Sequence, residues 1–424
     1  MRQTRSVCPL CLKNLPTRLV RQPDGSVTLE KECPDHGFFS QIIWRGLVDF
    51  DTWTRNAPPL GPEAGLSCPE NCGICTEHEA DSCCVLLEVT PRCNLRCRFC
   101  FADGGASLPD PSLESMKAAI RDIVAQRGQP LLQLSGGEPT LRDDLPLLVA
   151  YAKEAGCSYV QLNTNGLRLA QEPEYARALW DAGLDIVFLQ FDGTEDRIYE
   201  LLRGKPLLEA KKQAISVCGG LGLGVTLVPT LVPGVNTENL GGLIAFAASQ
   251  VPVVRGIHFQ PVSYFGRIPE LPRGDLRYTL DQLMADISRQ AGIPLDSFLP
   301  SRCDHPLCGF HGNFLLRPDG SLRLLSSLSH SSPSRGCARD NREYVARNWI
   351  RPPAEAPVGD FSEEMDFDTF LYHLRQRKLT LSAMAFQDAG NLNIERLHRC
   401  SLHVYSGGTV KPFCAHYLTK QEKL

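Results

Sequence analysis

The stretch Val85-Leu-Leu-Glu-Val-Thr-Pro-Arg-Cys93-Asn-Leu-Arg-Cys97-Arg-Phe-Cys100 joins an apolar, strand-like run to a loop that carries three cysteines. The cysteine spacing is C-x3-C-x2-C, and Phe99 precedes the third cysteine. Thiolates are the usual ligands of iron–sulfur clusters, and a four-iron cluster held by three thiolates keeps one iron without a protein ligand. The loop therefore predicts a [4Fe–4S] cluster whose open iron can bind a small molecule.

The composition of the 424-residue chain is typical of a globular protein, with 43% hydrophobic and 22% charged residues. A net charge of −4 without a polybasic run argues against a nucleic-acid-binding face. The sequence contains no apolar run near the ~20 residues of a membrane span and no apolar core of a secretion signal. We therefore expect a cytoplasmic protein whose 18 cysteines mostly serve as metal ligands and not as disulfides.

Strand-like and helical segments alternate from Cys84 to about Arg267, and this alternation predicts a parallel α/β sheet. The strand-like runs are Val85–Val89, Leu131–Leu134, Tyr159–Asn163, Ile186–Gln190, Gly224–Val232 and Gly256–Val262. Helical periodicity covers Leu113–Gln126, Leu145–Glu154, Tyr175–Ala182, Leu208–Cys218 and Glu238–Ala248. Six such repeats can form a parallel sheet that is either curled into an open barrel or wound flat. The fold class that we predict is α/β, a partial (β/α)6 barrel of the TIM type.

Polar residues follow several of these strands at their carboxyl ends, where ligands collect in parallel sheets. After the second strand, Gly136 and Gly137 let the backbone approach a ligand, and the Glu138 carboxylate can receive an ammonium group. Three further candidates for contact with a cofactor or substrate are Asn165, Gln190 and Asp192. The alternative for those three is ordinary turn formation, because Asn-Gly and Asp-Gly pairs are common in loops.

The N-terminal segment pairs Cys8-x2-Cys11 with Cys33-x2-His36. Two such pairs about 20 residues apart suit a tetrahedral site for zinc or for a single rubredoxin-like iron. Strand-like pieces on both sides of Gly25 predict a small β-ribbon around this site. His36 is the weakest of the four ligands, since it could instead cap the turn before Gly37.

A second group, Cys68-x3-Cys72-x2-Cys75, repeats the spacing of the first loop. It predicts either a second cluster of the same open kind or, as we favour, an auxiliary cluster closed by a fourth thiolate. Cys83 and Cys84 are the candidates for that thiolate, and they point to opposite faces if the segment is extended. We expect His78 not to be a ligand.

A third group consists of Cys303, Cys308, Cys400 and Cys414, of which the last two flank a hairpin with Gly407-Gly408 as its turn. These four thiols predict another auxiliary cluster, and the alternative is a set of reduced cysteines in a C-terminal α/β module. Three more cysteines are expected to be unligated: Cys337 in a serine-rich loop, and Cys157 and Cys218 as small apolar core residues.

The first cysteine loop, followed by Gly136-Gly137-Glu138 after the second strand, resembles the signature of radical S-adenosylmethionine (SAM) enzymes. In that family the open iron chelates SAM, and one electron cleaves SAM to a 5′-deoxyadenosyl radical. The resemblance implies that the Gly-Gly-Glu motif holds the SAM amino group and that an electron donor such as ferredoxin or flavodoxin serves the enzyme. It also makes SAM or the substrate the expected partner of Asn165, Gln190 and Asp192.

A narrower resemblance spans nearly the whole chain and includes Cys68-Pro-Glu-Asn-Cys72-Gly-Ile-Cys75, Ile257-His-Phe-Gln-Pro-Val262 and Met384-Ala-Phe-Gln-Asp388. These segments are similar to those of tetraether lipid synthases, which join alkyl chain ends. They are also similar to class D radical SAM methyltransferases, which methylate a pterin with a folate-type one-carbon donor. The resemblance favours Cys83 as the fourth ligand of the second group, because the position of Cys84 is usually apolar there.

We therefore expect an enzyme that functionalises an unactivated C–H bond and forms a carbon–carbon bond on a lipid chain or a pterin-like small molecule. A lipid substrate would bring the protein into contact with a membrane surface. The alternatives are a maturase that modifies a peptide or protein and a non-catalytic iron–sulfur electron carrier. The expected organisation is a metal-binding ribbon (1–60), an auxiliary-cluster segment (61–84), a radical SAM core (85–270) and a C-terminal auxiliary-cluster region similar to a SPASM domain (271–424).

Overall fold

The structure is a computed structural model, and it describes residues 2–55, 57, 65–70, 72–105, 108–269, 276–301, 303–325, 338–353, 361 and 365–420. The described strands form two sheets, one of four strands at the N-terminus and one of 13 strands that contains the predicted core.

The N-terminal sheet is antiparallel and confirms the predicted ribbon, with two strands more than the sequence indicated. Its strands are β1 (Arg2–Val7), β2 (Asn14–Arg21), β3 (Val27–Cys33) and β4 (Gly37–Trp44), paired in that order and followed by helix α1 (Phe50–Thr54). Trp44 at the end of β4 is fully buried and packs against Trp53 in the same apolar core as the large sheet. The ribbon is thus fixed to the rest of the molecule by shared apolar burial.

The predicted parallel strands are all present, but the fifth is divided. They are β5 (Cys84–Thr90), β6 (Leu131–Gly136), β7 (Tyr159–Thr164), β8 (Ile186–Gln190), β9 (Gly224–Val228), β10 (Thr230–Leu231) and β11 (Val254–Pro261). The single strand that we predicted over Gly224–Val232 was wrong in this respect. Pro229 has no N–H to donate to a neighbouring strand, so the ladder stops there, and β10 pairs only with β11.

The connecting helices confirm the predicted alternation and add two short helices. They are α2 (Leu113–Arg127), α3 (Leu145–Glu154), α4 (Leu167–Gln171), α5 (Pro173–Asp181), α6 (Asp196–Arg203), α7 (Leu208–Leu221) and α8 (Leu240–Ser249). Capping explains the bounds of α2: the Ser112 hydroxyl accepts a hydrogen bond from the Ser115 amide, and Gly128 ends the helix with φ of +70°. Sequence periodicity missed α4 and α6 because they span only about two turns or fewer.

The C-terminal part of the chain alternates helices with strands of mixed direction. Its elements are α9 (Leu280–Ala291), β12 (Leu299–Pro300), β13 (Gly309–Leu316), β14 (Leu322–Leu324), α10 (Ala338–Trp349), α11 (Phe367–Gln376), β15 (Lys378–Met384), α12 (Ile394–His398), β16 (Leu402–Ser406), β17 (Thr409–Pro412) and α13 (Phe413–Lys420). The predicted hairpin is confirmed as β16–β17, with positive φ at both Gly407 and Gly408 as its tight turn requires.

The large sheet confirms the partial barrel and is wider than the six predicted repeats. Its order is β12-β13-β15-β11-β9-β8-β7-β6-β5-β16-β17, with β10 beside β11 and β14 beside β13. The C-terminal segment supplies β15, which is parallel to β11, and β16, which is parallel to β5. Hydrophobic periodicity could not show this pairing, because it identifies strands but not their partners.

Helix α10 covers the end of the sheet opposite the cysteine loops. Its residues Val345 and Trp349 pack against Leu131, Ile186 and Phe188 at or near the amino ends of β6 and β8. Trp349 and Phe188 have ring centroids 4.8 Å apart. The interior of the curled sheet is therefore closed at this end by apolar contacts and opens toward the carboxyl ends of its strands.

Candidate functional site

The N-terminal sheet brings together the four predicted metal ligands Cys8, Cys11, Cys33 and His36, whose ligand atoms all lie within 4.8 Å of one another. The Sγ atoms of Cys11 and Cys33 are 3.9 Å apart, and His36 Nδ1 is 3.6 Å from Cys8 Sγ and 3.5 Å from Cys33 Sγ. A tetrahedral zinc with ordinary bond lengths requires separations of about 3.8 Å between two sulfurs and about 3.6 Å between sulfur and nitrogen. The observed distances fit such a site.

The first cysteine loop leaves β5 at the mouth of the curled sheet. Cys93, Cys97 and Cys100 all line one central cavity of about 300 Å³. The loop is held in place by Arg267, which forms an antiparallel bridge with Cys100 and donates from Nη1 to the Cys97 carbonyl at 3.2 Å. Burial raises the pKa of Cys93 to about 12, so metal binding there must displace a proton. Three cysteines of one loop on the wall of one cavity fit the three-thiolate cluster that the sequence predicts.

Both glycines of the Gly-Gly-Glu motif pack against the backbone that leads into this loop. A Cβ added to Gly136 would lie 2.3 Å from the Thr90 carbonyl oxygen, and one added to Gly137 would lie 2.1 Å from the Arg92 oxygen. In the other direction, the Glu138 amide donates to the Arg92 carbonyl at 2.7 Å. We predicted close approach to a ligand from these glycines; the structure shows close approach to the cysteine loop, with both glycines on the cavity wall.

The Glu138 side chain lies on the cavity wall with 1% of its surface exposed. Its Oε1 accepts hydrogen bonds from the Thr140 amide and from the hydroxyls of Thr140 and Thr164, while Oε2 accepts one bond from the Asn165 amide. Because Oε2 has a second lone pair, it keeps room for one further donor. The carboxylate is thus preorganised by its neighbours and can still receive an ammonium group.

The three remaining candidates occupy different positions relative to the cavity. Asn165 and Gln190 line it, and the Asn165 amide donates to Asn94 Oδ1 in the cysteine loop at 2.7 Å. Asp192 lies behind the wall, where its carboxylate binds Arg203 with both oxygens at 2.6 and 2.8 Å. Arg203 itself lines the cavity beside Cys97, so the geometry supports a role for Asp192 in positioning Arg203. The contact of Asp192 with SAM or the substrate stays a prediction.

Lys211 is a residue of this site that the sequence analysis missed. It is 0% exposed, and its Nζ donates to Gln190 Oε1 at 3.0 Å and to the Asn165 carbonyl. Burial lowers its pKa to about 8 despite the nearby Asp192 carboxylate. From the sequence, a lysine in the first turn of α7 is expected to face solvent, because helical periodicity alone does not show the packing of α7 against α4.

In the second cysteine group, Cys68 and Cys72 are buried and Cys75 is exposed. A hydrogen bond from Cys72 lowers the pKa of Cys68 to about 5, with a further contribution from His398, whose Nε2 is 3.6 Å from Cys68 Sγ. The pKa of Cys72 is raised, first by the bond to Cys68 and then by burial and by the nearby thiols of Cys400 and Cys75. The structure therefore gathers the predicted group and adds Cys400 to its surroundings.

Cys83 and Cys84 both line the central cavity. Cys83 Sγ accepts a hydrogen bond from Asn341 Nδ2 at 3.0 Å, and Cys84 Sγ donates to Gln133 Oε1 at 3.3 Å. The two thiols thus contact different elements, α10 for Cys83 and β6 for Cys84, and β5 begins only at Cys84. Cys83 faces α10 in this arrangement, so its role as the fourth ligand of the second group has no support from its contacts.

Three cysteines of the third group line a second, smaller cavity, namely Cys308, Cys400 and Cys414. Arg396 Nε donates to Cys308 Sγ at 3.3 Å, and the Gln387 amide donates to Cys414 Sγ at 3.2 Å. Cys303 is half-buried and does not line this cavity, whereas its neighbour Asp304 does. Since Cys400 neighbours both groups, it is a candidate ligand for either.

The remaining expectations concern His78 and the three cysteines that we expected to be unligated. Cys157 and Cys218 are buried in the apolar core, as predicted. His78 Nε2 lies 2.9 Å from the Cys400 carbonyl oxygen and 3.2 Å from His403 Nε2, so its ring is engaged by non-metal partners. Cys337 lies outside the described residues.

Uncharged polar side chains occupy the middle of the central cavity, below the cysteine loop and above the apolar end at α10. They project from β6, β7, β8 and β11: Gln133, Gln161, Asn163, Gln190, His258 and Gln260. They share the cavity with the rings of Phe188 and Trp349.

Among the described helices, none is long and apolar enough to cross a membrane.

Comparison with known proteins agrees with this arrangement. Residues 87–247 match the family described as the radical SAM superfamily, and residues 1–45 match the HMPTM N-terminal zinc ribbon domain. The chain is 30% identical to the 7,8-dihydro-6-hydroxymethylpterin dimethyltransferase of Methanocaldococcus jannaschii over 473 aligned residues, covering 98% of this chain and 93% of the relative. It is also 30% identical to the Fe-coproporphyrin III synthase of Methanosarcina barkeri, over 52% of this chain and 56% of that one. A crystal structure of Streptococcus suis SuiB with its precursor peptide SuiA aligns over 51% of this chain and 46% of that chain, at 14% identity and a TM-score of 0.41.

The chain therefore belongs to the radical SAM superfamily. Within that superfamily, its likeness to the pterin dimethyltransferase extends over nearly its whole length. Membership implies a [4Fe–4S] cluster and SAM as cofactors, and the zinc ribbon and the other cysteine groups suit zinc and auxiliary clusters. It also favours an enzyme over the electron carrier considered above.

Proposed function

We propose that this enzyme transfers a methyl group to a carbon of a pterin-like heterocycle. The observation that carries the proposal is the ring of uncharged hydrogen-bonding side chains around the middle of the cavity, contributed by β6, β7, β8 and β11. A planar heterocycle presents several donors and acceptors that can pair with the hydrogen-bonding groups these side chains still have available, whereas an alkyl chain would leave those groups without a partner. The full-length relative is named for methylation of a dihydropterin, which agrees with this chemistry.

The second candidate from the sequence, alkyl coupling on a lipid, has less support from the cavity. A long chain needs an extended apolar channel, but the end of this cavity at α10 is covered by Val345 and Trp349. The methylene groups of a lipid chain would also have to pass the polar side chains in the middle of the cavity. The cavity is therefore better suited to a compact polar ring than to an alkyl chain.

The side chains of the site divide into two sets. When bound, the Cys93/Cys97/Cys100 cluster and SAM would supply the 5′-deoxyadenosyl radical chemistry of the superfamily. Toward the mouth of the cavity, Glu138 offers Oε2 to an ammonium group, and Asn165 and Gln190 present amides fixed by Asn94 and Lys211. Deeper in the cavity, the neutral amides and aromatic rings bind and orient the acceptor and exclude water.

The test is a product assay on protein reconstituted anaerobically with iron and sulfide. The enzyme is supplied with SAM, dithionite, a folate-type one-carbon donor and either 6-hydroxymethyl-7,8-dihydropterin or an alkyl glycerolipid, and the products are measured by mass spectrometry. We expect 5′-deoxyadenosine together with a methylated pterin. Formation of 5′-deoxyadenosine with a coupled lipid and no methylated pterin would contradict the proposal. Cys97→Ala is the control and should form neither product.

A further inference from the structure

We propose that Gln161, Asn163, His258 and Gln260 form a reading edge that recognises the amino-pyrimidinone side of the substrate ring; this inference rests on the function proposed above. The four side chains come from two strands, β7 and β11, at positions two residues apart on each. Side chains with that spacing share one face of a strand, and the two pairs line the central cavity from strands that β8 and β9 separate in the sheet. The name reading edge refers to these four residues below.

Hydrogen bonds between neighbouring side chains orient Gln161 and Asn163 on β7 and determine which of their groups can still bind a ligand. Asn163 Oδ1 accepts from Gln133 Nε2 at 2.8 Å and from Gln161 Nε2 at 3.1 Å. Gln133 is itself held from the other side by the thiol of Cys84, which donates to its Oε1. The Asn163 amide nitrogen therefore remains as a donor to a ligand, and Gln161 Oε1 remains as an acceptor.

The orientation of His258 follows from a similar count of protons. Its Nδ1 lies 2.9 Å from Ser382 Oγ, and the single hydroxyl proton of Ser382 is directed to the Ile257 carbonyl at 3.4 Å. With the hydroxyl proton in that direction, Ser382 Oγ accepts from the Nδ1–H of His258, and in this tautomer the lone pair of the ring is on Nε2. Burial lowers the pKa of His258 to about 4, so this neutral form persists at neutral pH.

Aromatic rings border the reading edge. The Phe188 ring centroid is 5.6 Å from that of His258, and the Trp349 centroid is 5.7 Å from it. Such a border suits a flat ring and excludes water from its hydrogen bonds. Because none of the four reading-edge residues is charged at neutral pH, the edge favours a neutral ring over a phosphate or carboxylate.

The donors and acceptors of the reading edge complement those of a 2-amino-4-oxo-pyrimidine ring. Gln161 Oε1 and His258 Nε2 can accept N–H groups, such as the ring N–H and the exocyclic amine. The Asn163 amide can donate to the ring carbonyl, and the Gln260 amide can do either. A ring that lacks the exocyclic amine would leave one buried acceptor unpaired, and this costs binding energy.

The first test uses the wild-type protein and two ligands. Dissociation constants are measured by fluorescence titration for a reduced pterin and for the matching lumazine, which carries an oxygen in place of the exocyclic amine. We expect the pterin to bind about tenfold more tightly or better, which corresponds to roughly one unpaired buried hydrogen-bonding group. Equal affinity for the two ligands would overturn the reading edge.

The second test uses Asn163→Asp and His258→Asn, which change hydrogen bonding with little change of volume. KM for the pterin should rise about tenfold in each, and the preference for pterin over lumazine should shrink. The matched control is Gln290→Leu, which removes an amide bonded to Thr237 and Gly241 outside the cavity and should leave both values unchanged.

The outcomes separate this inference from the function on which it rests. If the wild type methylates the pterin but both variants keep its KM and its preference, the reading edge is wrong and the proposed function stands. If the wild type forms 5′-deoxyadenosine but binds neither ligand, the proposed function and the reading edge both fall. Iron content and near-ultraviolet circular dichroism of each variant identify one that does not fold, and the ligand comparison on the wild type then decides alone.

Discussion

Gly137 shows how closely the Gly-Gly-Glu turn and the cysteine loop depend on each other. Replacing it with alanine would place a Cβ 2.1 Å from the Arg92 carbonyl oxygen, so one of the two backbones must move. We expect Gly137→Ala to lose most SAM cleavage and part of the iron of the Cys93/Cys97/Cys100 cluster, measured by 5′-deoxyadenosine yield and iron analysis.

Gly220→Ala is the matched control for that substitution. A Cβ at Gly220, which lies in α7, meets no atom within 4 Å. Alanine is the better helix former by about 0.5–1 kcal/mol, so this variant should be as active as the wild type and slightly more stable. Normal SAM cleavage in Gly137→Ala would show that the loop tolerates the displacement and that the close packing has no functional role.

His258 gives the protein a defined dependence of stability on pH. Burial lowers its pKa from 6.5 to about 4 in the folded protein, so between these pH values the unfolded chain binds a proton that the folded chain does not. The free energy of unfolding should therefore fall as the pH falls from 6.5 to about 4. We expect the melting temperature of the wild type to fall more steeply over this range than that of His258→Gln; parallel curves would contradict the assignment.

Residues of the site could be predicted from the sequence where a short motif carries them. Cys93, Cys97, Cys100 and the Gly-Gly-Glu turn follow from spacing and position after strands, and the structure places all of them on one cavity. Lys211 and Arg203 could not be predicted, because a cation in a helix normally faces water and only the packing of the helix buries it. The ion pair of Asp192 with Arg203 could not be predicted either, because the spacing of residues in the sequence does not show which side chains meet.

At the scale of elements, helix α10 closes the apolar end of the cavity through Trp349. Trp349→Ala removes its ring contacts with Phe188 and His258 and, because Trp349 is half-buried, should destabilise the protein by about 3 kcal/mol. Water would then enter beside the reading edge, so 5′-deoxyadenosine should form in excess over methylated product. Thermal unfolding measures the loss of stability, and product analysis measures the ratio of 5′-deoxyadenosine to methylated product.

The matched control for this substitution is Trp180→Ala on α5. Trp180 is 44% exposed and does not line the cavity, so its removal should change neither stability nor the ratio of products by much. If Trp349→Ala loses stability as expected but keeps the wild-type ratio of products, α10 stabilises the fold and has no role in excluding water from the substrate.

Elements with strong periodicity were predicted correctly, as α3 over Leu145–Glu154 and the β16–β17 hairpin show. The division at Pro229 could have been predicted, because a proline inside a strand-like run removes a ladder hydrogen bond. The addition of β15 and β16 to the parallel sheet could not, since nothing in a strand's own sequence specifies a neighbour some 120 to 320 residues away.

At the scale of the whole molecule, the zinc ribbon is tied to the segment that leads into the C-terminal cysteines. Lys31 Nζ donates to Ser6 Oγ at 2.9 Å and to the Ala389 carbonyl at 2.8 Å, and Arg2 pairs with Glu395 at 2.6 Å. Glu395 and the Arg396 that bonds Cys308 lie on the same short helix, α12. Metal binding in the ribbon should therefore stabilise this segment as well.

Cys8→Ser tests this connection. We expect the variant to lose one metal ion per chain and to show faster hydrogen exchange both in β1 and in residues 389–396, with the iron of the Cys93/Cys97/Cys100 cluster retained. Cys157→Ala is the control, because Cys157 is a buried core residue outside the metal groups, and its metal content should equal that of the wild type. Faster exchange confined to the ribbon would show that the two segments are energetically independent.

The central claim is that Cys93, Cys97 and Cys100 hold a cluster whose fourth iron is open to SAM. Its most direct test is electron paramagnetic resonance of the anaerobically reduced protein with and without SAM, recorded for the wild type and for Cys97→Ala. We predict a reduced-cluster signal that changes when SAM is added to the wild type, and no SAM-dependent change in Cys97→Ala. A wild-type spectrum that SAM leaves unaltered would contradict the claim.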